Sequence, residues 1–385
     1  MKDADTIVLP RLTSTEVDVE DPWGEGHDLA PQPVADPVRW RVAAWLVPAL
    51  LTAALCLVRA GAPASPTEDA PAWGIAGSAL MRWWAEVPGA PGPAVRAVSM
   101  VAVTAAAALV GLLAARLFTP RVGLLAGVIF ALLPTSTRYV QEVQPYALTV
   151  FAAVLATFLL VLAVDRPSFG RFAGYGAAVL VLGLSHGLAL LLLAGHGWTV
   201  FAFRRGVAGR WSAVALLGAL PTAAALGLFG GQPGAPFVRG SKLTPDVLAA
   251  APRELFGVTA LGIVLLVLAL FSLPLRRSAA VYTAWAVVPP LGLLLVAQAT
   301  PIWLPEVLLF TLPAWATLGA VALARVRARW CALALVAIAV LGAPAQLARP
   351  APEGLEQVTG DLARIIQLWT GGETPHGARA VSAGD

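Results

Sequence analysis

Of 385 residues, 58% are apolar and only 12% are charged, giving a mean hydropathy of +0.77. A soluble domain carries about a quarter charged residues, so a soluble globular enzyme is excluded. The net charge of +4 is no nucleic-acid signal, because the arginines lie in short loops between apolar runs, where membrane proteins collect them.

Residues Met1 to Asp36 are polar and rich in Asp, Glu and Pro, with no apolar core that a signal peptide would need. Residues 1–40 are therefore expected to form a disordered cytoplasmic tail. Beyond them, a rule of about 20 apolar residues per crossing divides the chain into about eleven spans. These fall at 41–58, 94–115, 122–134, 146–164, 172–184, 187–203, 211–229, 257–275, 279–298, 307–324 and 331–347. The fold class predicted is an all-α polytopic transmembrane bundle, with long outer loops at 59–93 and 230–256. In the last segment, 348–385, Leu355, Val358, Leu362, Ile365, Ile366 and Trp369 recur at helical spacing and predict a short amphipathic helix on the membrane surface.

Orientation follows from arginine. One set of short loops carries Arg116 and Arg121, Arg166 and Arg171, Arg204, Arg205 and Arg210, Arg276 and Arg277, and Arg325, Arg327 and Arg329. The opposite short connections carry Arg138 alone. The first set is expected to be cytoplasmic, which places the N-terminus inside and, for an odd span count, the C-terminus outside a cytoplasmic membrane. The acids then segregate. Beyond Asp36 only Asp165 lies on an arginine-bearing loop, whereas Glu68, Asp69, Glu86, Glu142, Asp246, Glu254 and Glu306 fall on the outer side. Glu142 and Glu306 sit in very short connections, where a carboxylate needs a partner or a purpose. Arg138 precedes Glu142 by four residues, one helical turn, so an ion pair and a functional acid are both open readings for Glu142. Cys56 and Cys331 are expected near opposite faces, too far apart to bridge.

Several chemistries lack their motifs. The chain has no phosphate-binding G-x-x-x-x-G-K-[ST], no H-E-x-x-H and no C-x-x-C, and no metal ligands are assigned. Gly183-Leu184-Ser185-His186-Gly187 matches G-x-S-x-G, but it joins two apolar helices instead of a strand and a helix, which rejects a serine hydrolase. His196 lies within a span and reads as a helix–helix hydrogen-bonding group. Pro289-Pro290 reads as a kink.

The most specific stretch is Arg116-Leu-Phe-Thr-Pro-Arg121-Val-Gly-Leu-Leu-Ala-Gly, followed by Arg138-Tyr139-Val140-Gln141-Glu142-Val143-Gln144-Pro145-Tyr146-Ala147-Leu148. It resembles the R-L-F-G-P-R-V-G-L-L-A and Y-x-Q-E-A-R-P-Y-A-L segments of the bacterial GT-C glycosyltransferases of the protein O-mannosyltransferase and aminoarabinose-transferase group. Arg96-Ala-Val-Ser99, His186 at the outer end of the fifth span, and Leu308-Leu309-Phe310-Thr-Leu-Pro313 agree as well. Together these segments cover most of residues 41–347.

The resemblance implies a polyprenyl-phosphate sugar donor, an acceptor at the outer membrane face, and a general base from an acidic pair after the first span, here Glu68 and Asp69. It further implies that Arg138, Tyr139, Gln141, Glu142, Tyr146 and His186 serve substrate binding. Arg239 and Lys242, in the second outer loop, are read as cations covering a lipid-phosphate groove, or equally as a solvated basic loop near anionic lipid. No cofactor is named. The chain departs from the family in having Glu-Asp for Asp-Glu, in lacking the following H-P-P-L-Y-Y segment, and in shortening the loop between Asp69 and Arg96. Gln144 and Glu306 stand where the family has Arg. A catalytically silent relative acting as a partner or lipid-binding subunit is the main alternative, since fold does not fix function. A transporter is the third, disfavoured because the acids gather at one membrane edge instead of mid-span.

Overall fold

A computed structural model describes residues 38–60, 92–138, 146–229, 242–272, 277–299, 303 and 305–347. The regular elements among them are all helical. They are α1 (Val38–Ala60), α2 (Gly92–Leu117), α3 (Pro120–Leu132), α4 (Pro134–Arg138), α5 (Tyr146–Asp165) and α6 (Phe169–Ser185). A 3₁₀ turn (Gly187–Leu191) leads into α7 (Leu192–Phe203), followed by α8 (Ala208–Phe229), α9 (Pro245–Phe256), α10 (Thr259–Phe271) and α11 (Arg277–Ala299). A second 3₁₀ segment (Pro305–Thr311) runs into α12 (Leu312–Ala324), and α13 (Ala328–Leu347) closes the bundle.

The protein is a multi-span integral membrane protein. Seven helices among the described residues are long and apolar enough to cross a bilayer, or eight if the bent pair α9–α10 forms one span. The apolar helices Pro120–Leu132, Phe169–Ser185 and Gly187–Phe203 are shorter. The eleven predicted segments thus all appear as helices in the predicted order, but only seven or eight have the length of a complete crossing. Within the expected outer segment 230–256, residues 245–256 form α9, turned by 80° against α10. Its helix signals are ordinary. Thr244 accepts from the Val247 amide as N-cap, Pro245 occupies the first turn, and Gly257 ends the helix at φ 80°.

The loop arginines gather at one end of the bundle and hold it together. Arg116 at the end of α2 pairs with Asp165 at the end of α5, Nη2 to Oδ2, at 2.7 Å. Arg121 donates to the Val326 carbonyl, Arg171 to Leu162 and Arg166, Arg205 to Phe201, and Arg325 to Phe271 and Ser272. Most of these acceptors are carbonyls at helix C-termini, where backbone acceptors lack partners and the dipole favours a cation. Arginine here therefore caps helices.

A polar chain ties four helices together inside the bundle. Trp211 Nε1–H (α8) donates to the Tyr175 hydroxyl (α6) at 2.9 Å, and that hydroxyl meets His196 Nδ1 (α7) at 3.1 Å. His196 Nε2 meets Thr157 Oγ1 (α5) at 3.0 Å, and Thr157 donates to the Ala153 carbonyl at 2.8 Å. Following the donors along the chain assigns the proton of His196 to Nε2. The helix–helix role expected of His196 is realised by these bonds. Tyr175→Phe removes the central oxygen and strands the Trp211 N–H and His196 Nδ1. The expected loss is about 1–3 kcal/mol, read as a lower thermal unfolding temperature in detergent. An unchanged midpoint would mean the network adds nothing to stability.

Candidate functional site

The end of the bundle opposite the arginines holds the candidate site. Its floor is α4, whose small hydroxyl residues are buried and hydrogen-bonded. Thr135 Oγ1 donates to the Leu255 carbonyl of α9 at 2.9 Å, and Ser136 Oγ donates to the Leu133 carbonyl at 2.7 Å. Two further contacts wedge α4 in place. Gly257 packs so tightly on Pro134 that an added Cβ would come within 2.9 Å of the proline ring, and Gln346 Nε2 donates to the Leu132 carbonyl at 2.8 Å. Helix α9 thus lies against α4 and the 3₁₀ segment Pro305–Thr311, over this end of the bundle.

Tyr146, the first residue of α5, is buried and faces this end. Its hydroxyl donates to Glu306 Oε2 at 3.3 Å, joining two residues 160 positions apart. Its ring lies against the His186 imidazole, with centroids 6.2 Å apart and planes 26° apart, an offset stack. His186 is buried at the junction of α6 with the following 3₁₀ turn. Its amide donates to the Leu182 carbonyl and its carbonyl accepts from the Ala189 amide, which fixes the main chain that carries the ring. Glu306 is half-buried on the first turn of the second 3₁₀ segment. That segment is anchored by Trp285 Nε1–H, which donates to the Phe310 carbonyl at 2.9 Å. Beside Tyr146 lies a small hollow of about 10 Å³ lined by Val103, Phe130, Thr135, Ser136, Tyr146, Ala147, Val150, Leu309 and Leu312.

Of the residues singled out in the sequence, Tyr146 and His186 are brought into contact, and Glu306, noted there as an acid in a short connection and as a departure from the family, completes the cluster. Arg138 ends α4 at the same end of the bundle. Lys242 is exposed, two residues before the N-cap of α9. Glu68, Asp69, Tyr139, Gln141, Glu142 and Arg239 lie outside the described residues, as do residues 1–37 of the expected N-terminal tail, whose last three residues open α1, and the amphipathic segment of 348–385. Ser185, the serine of the G-x-S-x-G match, is buried and donates to the Leu182 carbonyl at 2.9 Å, as a helix-end serine does. Direct sequence signals for the contact of Glu306 with Tyr146 are lacking, since its two halves are far apart along the chain.

Comparison with known proteins agrees with this architecture. Residues 69–227 match the family model of dolichyl-phosphate-mannose-protein mannosyltransferases, a match that opens on Asp69 and takes in Tyr146 and His186. No curated protein sequence matches the chain. Two crystal structures share its fold, those of ArnT from Cupriavidus metallidurans bound to undecaprenyl phosphate and in the apo state. Each aligns with a TM-score of 0.53 at 14% identity, over 80% of this chain and 62% of that protein. The chain thus spans about three-fifths of the length of ArnT. The fold is that of the GT-C type membrane glycosyltransferases.

Proposed function

We propose that the protein moves a sugar from a polyprenyl-phosphate-linked donor to an acceptor at the outer face of the cytoplasmic membrane. The family match over residues 69–227 carries this reading, because it takes in Asp69 of the acidic pair and runs through the Tyr146–His186 end of the bundle. In the reaction, an acceptor oxygen attacks the anomeric carbon of the donor. The bond from that carbon to the phosphate oxygen breaks, the polyprenyl phosphate leaves, and the acceptor proton passes to Asp69 or Glu68 as general base. Cations at the membrane edge would stabilise the departing phosphate through charge-assisted hydrogen bonds, a role suited to Arg138, Arg239 and Lys242. Tyr139, Gln141 and Glu142 would shape the connection between Arg138 and Tyr146.

Two measurements test this reading together. Purified protein supplied with undecaprenyl-phosphate mannose and related lipid-linked sugars should bind them and release undecaprenyl phosphate. A topology reporter inserted near Gly234 should be external, and one fused after Arg205 or Arg277 cytoplasmic. Binding without turnover would instead support the silent relative, which Gln144 and Glu306, in place of two arginines, would favour. A cytoplasmic reporter at Gly234 would reverse the orientation and remove the outer-face site.

A further inference from the structure

The arginines at their end of the bundle are not all used alike. Arg116 pairs with Asp165, and Arg121, Arg171, Arg205 and Arg325 donate to backbone carbonyls. Arg327 and Arg329 stand apart. Both are exposed at the start of α13, where the Arg327 carbonyl accepts from the Trp330 and Cys331 amides at 3.0 and 3.1 Å. A helix dipole disfavours cations at that end, so these two arginines do not serve α13 as caps. Arg329 lies over the Trp330 ring, 5.5 Å from its centroid, a contact that leaves its charge in place.

Two further cations adjoin them. Arg121 reaches the Val326 carbonyl at 3.2 Å, and Arg325 reaches the Phe271 and Ser272 carbonyls at the end of α10. Four guanidinium groups thus gather at the connection between α12 and α13. Among the described residues, Asp165 is the one acid at this end, and Arg116 holds it at 2.7 Å. Asp246 and Glu254 lie on α9 and Glu306 on the second 3₁₀ segment, at the other end. Four like charges repel one another, and a bound anion relieves that cost. The surface beside them is apolar. Phe271 and Trp330 are exposed, and Leu333, Val336 and Val340 extend from Trp330 along one face of α13. Of the seven full-length spans, α13 is the least buried in the protein.

We infer that the α12–α13 corner binds an anionic membrane phospholipid, its phosphate on Arg327 and Arg329 and its acyl chains along Leu333, Val336 and Val340. Guanidinium forks match phosphate oxygens in bidentate pairs, and an exposed indole such as Trp330 settles at headgroup level. A free phosphate would use the arginines but not the apolar face. The phospholipid uses both. This corner lies at the opposite end of the bundle from Tyr146 and His186, so its lipid is not the sugar donor.

The test follows thermal unfolding of the full chain in neutral detergent during titration with phosphatidylglycerol, phosphatidylcholine or inorganic phosphate. Phosphatidylglycerol alone should stabilise the wild type, by roughly 2–4 °C or more near saturation. Arg327→Gln with Arg329→Gln should require roughly tenfold more phosphatidylglycerol for the same shift, with the midpoint in phosphatidylcholine unchanged. Arg166→Gln with Arg210→Gln removes equal charge from exposed arginines of other loops and should leave the titration nearly as in wild type. Arg327→Gln alone should give part of the loss, and it decides the matter if the first double variant fails to fold. Equal losses in the two double variants would reveal general attraction to a cationic end and overturn the site. Equal stabilisation by inorganic phosphate would overturn the phospholipid as its ligand. Wild type indifferent to phosphatidylglycerol overturns the inference outright.

Discussion

Replacing Asp69 by Asn is expected to slow sugar transfer by a factor of roughly 10²–10⁴, the range for a lost general base. Asp69 follows the end of α1 by nine positions and is the residue at which the family match begins. Its partner Glu68 precedes it directly, so the two carboxylates share one stretch of chain. In the proposed reaction one of them would take the acceptor proton while the other would orient a partner, and comparing Asp69→Asn with Glu68→Gln assigns the roles. The larger drop marks the base. The effect should appear in the rate with the donor bound, because proton removal belongs to the transition state and not to donor binding. An exposed loop charge changed in the same way should cost almost nothing. Equal expression and equal binding of undecaprenyl phosphate are the controls. Full activity in both variants would show the pair to be ordinary loop charge and move the base elsewhere.

The sequence was most legible where one physical requirement dominates. A bilayer demands long apolar helices with their backbone bonds satisfied internally, so each apolar run became a helix within a few residues of its expected ends. The run 146–164 is Tyr146–Asp165, and 331–347 is Ala328–Leu347. Helix α9 was missed for a complementary reason. Its signal lies in Thr244-Pro245-Asp246 at the start and Gly257 at the end, not in hydropathy, and a search for apolar windows passes over it. Asp165 was legible as the one acid among the arginines, but its partner Arg116 depends on how α2 and α5 pack. Tyr146 and His186 were each found by resemblance, whereas their stacking and the bond to Glu306 arise only when α5, the α6 junction and the second 3₁₀ segment converge. Local patterns name such residues singly. Packing decides which of them meet.

The second large effect concerns the frame that carries the acidic pair. Residues 61–91 connect α1 to α2, so the geometry of Glu68 and Asp69 depends on how these two helices are clamped. The clamp is made of missing side chains. A Cβ added at Gly111 of α2 would fall on the Ala44 carbonyl oxygen of α1, and one at Gly127 of α3 would fall on the Pro48 ring. One at Gly123 would meet the Gly111 carbonyl oxygen and Ala115. Three helices therefore approach backbone to backbone, as small residues permit within membranes. Gly111→Ala should accordingly reverse the usual sign. In an open helix position, Gly→Ala stabilises by about 1 kcal/mol, and Gly227 of α8, with no atom within 4 Å of an added Cβ, is the matched control. At Gly111 the new methyl meets a backbone oxygen that no rotamer change can move. The expected cost is about 1–3 kcal/mol or more, and Gly111→Leu should abolish recovery of monodisperse protein. Thermal unfolding in detergent reads both positions side by side. A Gly111→Ala variant as stable as Gly227→Ala would mean that α1 and α2 do not meet at Ala44. Where the variant survives purification, transfer activity should fall further than stability does, because a spread α1–α2 pair shifts the two helix ends between which Asp69 lies in the chain.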